Sequence, residues 1–499
     1  MRFNRIRVLA GLMVLGVTGF VSPLSASLKG SKPNIVLVMT DDQGLGDLSC
    51  MGNEVVRTPH LDAFYRGATR FADFQVSPTC APTRAAMMSG RVAFKNGVTH
   101  TILQRERMAL DTFTLPQALK TAGYGTGIFG KWHLGDEEEY LPSNRGFDEM
   151  LIHGAGGIGQ ISLGDFPVNK ENCYFDNVLL HNETIVKTKG YCTDLFFEEA
   201  LGWIQKQHQA KNPYFAYISL NAPHAPLIAP KKYKQRFLEL GYDPKTAGRY
   251  GMIENIDDNF GVLMEKLTAW EALENTLVIF MTDNGATHLG GTLKGKRVKH
   301  FNANMRGGKN SPYEGGSHVP AFWQWKGVLG KGVDLEGLAA HIDLYPTFVE
   351  LAGAVLPEEV QEMDGRSLLS LLENPKAQWA DRELFFHCGR WSPGKREAAK
   401  FEKCAVRTEQ WRFVNNKELF DISQDPGEKN DVAAEHPEVV ARLQKAYEAW
   451  WESVLPLMVN EGFSRVAPKE QPLTVRYFKQ LKEKGIPDYV PQASKLTTP

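Results

Sequence analysis

The chain has 499 residues, 42% of them hydrophobic and 23% charged, with 57 Lys and Arg against 58 Asp and Glu. The near balance of charge excludes a generally basic nucleic-acid binder and an acidic disordered tail protein. With 46 Gly, 27 Pro and 10% aromatic residues, a fibrous or coiled-coil chain is excluded too, leaving a loop-rich globular protein long enough for two or three domains.

The first residues read as an export signal. Arg2, Arg5 and Arg7 form a positive segment, Val8 to Val21 an apolar run, and Leu24-Ser25-Ala26 a small-residue cleavage site. The apolar run is interrupted by Gly and is short for a membrane span, which needs about 20 residues. The expectation is a signal peptide over 1–26, with export to a periplasm or out of the cell. No membrane attachment is expected after cleavage, and no nucleic-acid partner. Six cysteines in an exported chain can pair. Cys173/Cys192 and Cys388/Cys404 are the sequence-local candidates, buried free thiols are the alternative, and Cys50 has no obvious partner.

Strand-like and helix-like patterns then alternate. The runs Asn34–Met39, Tyr214–Leu220 and Thr276–Met281 are apolar throughout, as strands buried on both faces of a parallel sheet are. Each ends in a polar cluster: Asp41-Asp42-Gln43-Gly44, Asn221-Ala-Pro-His224 and Asp283-Asn284-Gly285. Ile253, Ile256, Phe260, Leu263 and Leu267 recur at helical spacing, and a helix over Leu344 to Leu351 should stop at Gly353. The order implies an α/β layered fold, in which ligands bind at the carboxyl ends of the strands.

Beyond about residue 375 short strands are predicted around Leu384–His387, Cys404–Thr408, Trp411–Val414 and Glu418–Asp421. A helix carrying Val440, Leu443, Tyr447, Trp450 and Val454 on one stripe follows. These predict a smaller C-terminal α+β unit with an antiparallel sheet. The expected division is a catalytic domain over 27–375 and a subdomain over 376–499, whose Lys- and Pro-rich tail from about Ala467 wraps the surface.

Ser77-Pro-Thr-Cys80-Ala-Pro-Thr-Arg84 leads into Ala85-Ala-Met-Met-Ser-Gly90. Pro82 favours a first helical turn and the residues after it favour helix. Cys80 is thereby expected near a helix N-terminus, where backbone N–H groups favour an anion and lower a thiol pKa. Asp41, Asp42, Asp283 and Asn284 are hard oxygen donors at two strand ends, a set that suits Ca²⁺ or Mg²⁺ and not Zn²⁺ or Cu²⁺.

The string Cys80-x-Pro82-x-Arg84 with Gly90 resembles the signature of the type I, formylglycine-dependent sulfatases. Gly123-Tyr-Gly-Thr-Gly-Ile-Phe-Gly-Lys131-Trp-His133-Leu-Gly resembles the second signature of that family. Both stand at the usual separation, and the resemblance runs from about Pro33 to beyond Asp431. It extends to the exported bacterial polysaccharide sulfatases and arylsulfatases. It implies an alkaline-phosphatase-like α/β/α sandwich with a large, mainly parallel central sheet.

By this resemblance Cys80 is oxidised to formylglycine by a sulfatase-maturing enzyme. One Ca²⁺ (Mg²⁺ less favoured) is bound by Asp41, Asp42, Asp283 and Asn284, with residue 80 beside it. Arg84 holds the formylglycine hydroxyl, and Lys131 binds sulfate. His133 takes a proton from the formylglycine diol, His224 serves the leaving group, and Lys309 lies next to it. His153 and Arg306 are further candidates for substrate binding.

The run Lys294, Lys296, Arg297, Lys299, His300 and Arg306 is expected near the pocket mouth, where it would suit a polyanion. A solvated charged loop is the alternative. Trp132, Trp323, Trp325 and Trp391 are candidates for stacking on sugars, with core packing the alternative. The expected activity is hydrolysis of sulfate esters on a sulfated glycan, such as a galactan of the carrageenan type or a sulfated hexosamine. A phosphonate or phosphate monoester hydrolase of the same superfamily is the alternative, and a sulfated-glycan binding protein with dead chemistry is the non-enzymatic one.

Overall fold

The apolar runs become neighbours in one sheet. In the computed structural model, which describes residues 27–169, 173–462 and 466–495, strand Asn34–Thr40 lies between Thr276–Thr282 and Tyr214–Ser219, parallel to both. Val36 faces Ala216 on one side and Val278 on the other. Gly125–Lys131 and Glu149–His153 extend the parallel set. Antiparallel and edge strands complete ten: Ala321–Gln324, Thr69–Phe71 and Val333–Leu335 on one flank, Val178–His181 and Thr184–Lys187 on the other. The expected signal segment lies outside the described residues.

Alternation along the central strands sends side chains to two separate cores, as the pleat requires. Ile35, Leu37, Met39, Phe215, Tyr217, Ile279 and Met281 share one face with helices Cys80–Ser89, Leu115–Thr121 and Leu344–Ala352. Val36, Val38, Ala216, Ile218, Val278 and Phe280 share the other with Pro59–Gly67, Cys192–Ala210 and Pro244–Ala269. Each buried apolar side chain contributes about 1.5–3 kcal/mol relative to exposure. Because both faces are covered, the central strands carry no polar alternation. The expected sandwich is the observed one, and helix Leu344–Ala352 stops at Gly353, whose φ of 61° only glycine adopts readily.

The small sheet has the order Leu384–His387, Cys404–Arg407, Trp411–Val414, Glu418–Asp421, antiparallel throughout. Helix Pro437–Val454 packs Leu443, Tyr447, Trp450, Trp451 and Val454 against it. The last helix, Pro472–Glu483, is not on this sheet. It returns to the large one, burying Leu473 and Tyr477 in the first core and bonding Gln480 to the backbone of Ile185. Gln480 thereby caps the edge strand Thr184–Lys187, which would otherwise expose unpaired backbone groups. All six cysteines are free thiols, so neither local pair is bridged.

One buried ion network joins the two sheets. Glu314 is 1% exposed and accepts from Arg407 at 2.9 Å and Arg412 at 2.5 Å, both on the small sheet. Burial opposes its charge, but the two guanidinium groups hold its carboxyl well below the usual range. Glu314→Gln would leave two buried arginines short of a partner. The expected loss is roughly 3–5 kcal/mol of stability, measured by denaturant unfolding.

Candidate active site

The polar clusters at the strand ends gather around one cavity of about 330 Å³, whose wall includes Asp42, Cys80, His133, His224 and Lys309. Strand Asn34–Thr40 delivers Asp41 and Asp42, and strand Thr276–Thr282 delivers Asp283 and Asn284. Strand Gly125–Lys131 brings Lys131 and His133, and the segment after Tyr214–Ser219 brings His224. Sequence order scatters these groups over more than 200 residues, and the parallel register gathers them.

Cys80 is the first residue of helix Cys80–Ser89 and is 2% exposed. Burial alone would raise its thiol, but Lys131 and Lys309 outweigh that and bring it below its ordinary value. Arg84, one turn later on the same helix face, is fully buried and does not reach the cavity wall. Its Nε and Nη2 donate to Asp283 at 3.1 and 2.8 Å, and its Nη1 donates to the Lys131 carbonyl and to Ser219. It therefore sets the position of Asp283 and the end of strand Gly125–Lys131.

Each carboxylate has its own cation. Lys131 bonds Asp41 at 2.6 Å, Lys309 bonds Asp42 at 2.5 Å, and Arg84 bonds Asp283. Burial pushes the Asp41 carboxyl up to about 7, with Lys131 opposing and Asp42 adding to the rise. Burial and the charge of Asp41 also raise Asp283. Asp42 stays well below the usual range despite burial, because Lys309 and His224 face it. Three carboxylates crowded in a dry site favour a further cation. The Oδ1 atoms of Asp41 and Asn284 are buried with no hydrogen-bond partner. Ligand atoms of Asp41, Cys80 and Asp283 lie within 4.8 Å of one another. An oxygen-rich set with unspent acceptors fits a hard divalent cation.

The histidines have defined tautomers. His133 Nε2 donates to the Thr101 carbonyl at 2.8 Å, since a carbonyl can only accept, so Nδ1 carries the lone pair. That Nδ1 is buried without a partner, and burial with Lys131 holds the ring neutral. The residue sits at φ 64°, and a Cβ on Gly156 would lie 2.4 Å from its ring. His224 donates from Nδ1 to the Ala225 carbonyl at 2.7 Å, which turns Nε2 toward Asp42 at 3.8 Å. Burial pushes its imidazole down to about 4, with Asp42 opposing.

Other candidates sit elsewhere. His153 lies beside Lys131 in the sheet register but is 1% exposed and off the cavity wall. Arg306 does not line the cavity. It pairs with Glu418 at 3.5 Å and stacks on Tyr313, both facing the small sheet. Lys294, Lys296, Arg297 and Lys299 of the basic run fall in the hairpin Gly290–Leu293/Lys296–Lys299, which bridges to Tyr242 and likewise stays off the wall. Trp132, Trp323, Trp325 and Trp391 are at most 6% exposed and pack in the cores. Gly315 and Gly316 shape the backbone, as a Cβ on Gly315 would meet the Gly307 carbonyl at 2.5 Å and one on Gly316 the Ser311 carbonyl at 2.1 Å. Conversely, His100, Thr101, Gln160, His288 and Arg390 line the cavity and were not singled out from the sequence. They sit on loops without motif or periodicity.

Residues 33–354 match the family described as Sulfatase, and 308–452 match the one described as N-sulphoglucosamine sulphohydrolase, C-terminal. The N-acetylgalactosamine-6-sulfatase of Mus musculus is 32% identical over 76% of this chain and 72% of its own length. Arylsulfatase G of Canis lupus familiaris is 32% identical over 71% of each. The crystal structure of Ps i-CgsB in complex with k-i-k-neocarrahexaose superposes with a TM-score of 0.75 at 28% identity, covering 90% of this chain and 100% of that one. With the match spanning most of the large sheet and the strand-end cluster, the chain belongs to the sulfatase family and is a sulfuric ester hydrolase.

Proposed function

We propose that this protein is an exported, formylglycine-dependent sulfatase that removes sulfate from a sulfated glycan, with one Ca²⁺ in the site. The observation that carries the reading is Cys80 at a helix start, with two lysines lowering its thiol, beside buried carboxylate and amide oxygens left unpaired. The glycan reading is supported by the relatives named for N-acetylgalactosamine-6-sulfate and by the neocarrahexaose complex.

Asp41, Asp42, Asp283 and Asn284 would hold the ion, which when bound supplies charge neutralisation at a sulfate oxygen. The chain's own groups do the rest. Attack on a sulfate monoanion meets charge repulsion, which Lys131 and Lys309 offset. His133 Nδ1, a neutral acceptor, takes the proton from one hydroxyl of the hydrated aldehyde at position 80. The resulting oxygen bonds to sulfur as the S–O bond to the sugar breaks. His224 Nε2 donates the proton that the leaving oxygen needs. An anion in the pocket favours the protonated form of this imidazole, against its burial. His133, on the cavity wall, passes its first proton to solvent and takes the proton of the second hydroxyl of residue 80; the C=O bond re-forms as the C–O bond to the sulfo group breaks, and sulfate leaves with that electron pair. Water restores the diol. An ordinary serine or cysteine has no second hydroxyl and cannot shed the sulfo group this way.

Three outcomes are expected. Cys80→Ser should become sulfated once and stall, seen as a single covalent sulfo group by intact mass with no steady-state turnover; normal turnover would refute the elimination route. Exhaustive chelation should lower kcat/KM by about 100-fold or more, on the scale of losing electrostatic stabilisation at the transition state, with Ca²⁺ restoring it better than Mg²⁺. Gly156→Ala should push the His133 ring aside and lower kcat by roughly 100-fold, the scale of a lost general base, while the thermal melt is retained. Peptide mass spectrometry over residues 71–91 tests the aldehyde directly.

A further inference from the structure

The mechanism uses Lys131 and Lys309, each already paired with a carboxylate, while Arg84 is engaged by Asp283 behind the wall. It leaves one cation of the cavity without a task. Arg390 lines the same wall as Cys80 and His224 and has no ion-pair partner among the described residues. It follows strand Leu384–His387, so the small sheet supplies it, not the large one.

Its backbone is held in a costly shape. Gly389 and Arg390 have φ of 61° and 62° in succession. Glycine is required at 389, where a Cβ would lie 1.8 Å from the Thr99 carbonyl. Nothing of the kind favours arginine at 390, and a non-glycine residue in the left-handed region costs about 1 kcal/mol or more. The surroundings enforce it. Arg105 donates to the Trp391 carbonyl at 2.8 Å, and Glu461 accepts from Arg105 at 2.9 Å and from the Trp391 indole at 2.5 Å. A rigid loop thus aims a guanidinium at the cavity. Its Nη2 donates to Thr101 Oγ1 at 2.7 Å, and its buried Nε donates to nothing.

His100 is next to it. Its Nδ1 accepts the N–H groups of Thr101 and Ile102 at 2.7 and 3.2 Å, so the ring proton is on Nε2. Burial, with Arg105 and Arg390 nearby, pushes this imidazole down to about 3. It is therefore a fixed neutral donor on the cavity wall. A planar guanidinium with a spare donor beside a neutral N–H is a receptor for a planar or tetrahedral anion. In the proposed mechanism the sulfate to be cleaved is met by Lys131 and Lys309, which leaves Arg390 for a different anion.

We infer that Arg390 and His100 form a second anion-binding arm, which recognises another anionic group, sulfate or carboxylate, on the glycan whose sulfate ester is hydrolysed. This rests on the glycan reading above and adds to it that the preferred sugar is multiply charged. Arg390 acts on binding and orientation, not on the reacting atoms.

The test uses purified, matured enzyme and three matched disaccharides. One carries the scissile sulfate alone, one adds a second sulfate, and one replaces the second sugar with a uronate. A simple aryl sulfate is run in parallel. Wild-type enzyme should prefer one doubly charged sugar, and raised salt should erode the preference; the better of the two identifies the group. Arg390→Ala should raise KM for that sugar by about 10- to 100-fold, the scale of a lost charge-assisted hydrogen bond, with kcat largely kept. The singly charged sugar should be affected far less, and Arg390→Lys should recover part of the loss. A merely structural arginine would instead lower the melting temperature and harm all substrates alike, which would overturn the inference, as would a wild-type enzyme without preference. That last measurement needs no variant. Cleavage of the aryl sulfate but of no disaccharide would sink the glycan reading and this inference with it. Equal loss on all disaccharides would sink only this inference.

Discussion

Asp41, Asp42 and Asp283 are at most 2% exposed and share one end of a parallel sheet. Like charges in a site from which water is excluded repel strongly, and burial alone would protonate them. The structure answers with one cation per carboxylate, drawn from three different elements: Arg84 from a helix, Lys131 from a strand, Lys309 from a loop. That neutralisation lets an acidic cluster exist in the interior at all. It also keeps acceptor oxygens of Asp41 and Asn284 unpaired, a costly state that a bound divalent ion relieves. Stability and chemistry thus depend on the same charges.

The backbone around this cluster is strained or compressed at the positions the chemistry uses. Asp42 and His133 have φ of 66° and 64°. Gly156, Gly285 and Gly389 lie where any side chain would strike His133, Gly315 or Thr99. Such features persist only where surrounding contacts over-determine them, and they gather at functional sites. Arg390 belongs to the same set, which is why a loop of the small sheet takes part in the cavity.

The two sheets are therefore not independent. Arg407 and Arg412 reach from the small sheet to Glu314, which immediately precedes Gly315 and Gly316 and so the bed on which Asp283-Asn284-Gly285 rests. Arg306, with Tyr313 and Glu418, adds a second link on the same side. The tail helix Pro472–Glu483 performs a different task at the far edge, closing off an exposed strand. A charge that looks free in sequence can be fully engaged by such links.

Much of this was legible in the chain itself. Apolar runs ending in Asp41-Asp42, His224 and Asp283-Asn284 identified the buried strands and the end that carries chemistry, because period and composition are local properties. The Cys80 and Lys131 strings identified the family, because a reacting centre tolerates few alternatives at those spacings. What lay beyond reach was set by packing between distant segments. Arg306 and the lysine hairpin were expected at the pocket, yet Glu418 and Tyr242 hold them away from it. Arg84 lies one turn from Cys80 as the motif implies, and its bonds to Asp283 and to the Lys131 carbonyl join segments that no local pattern connects. Residues such as His100 and Arg390 carry no periodicity or motif; only the docking of one loop on another, through Gly389 against Thr99, brings them to the cavity. Local pattern determined the elements and their polar ends, and long-range contact determined which charges remain free to meet a substrate.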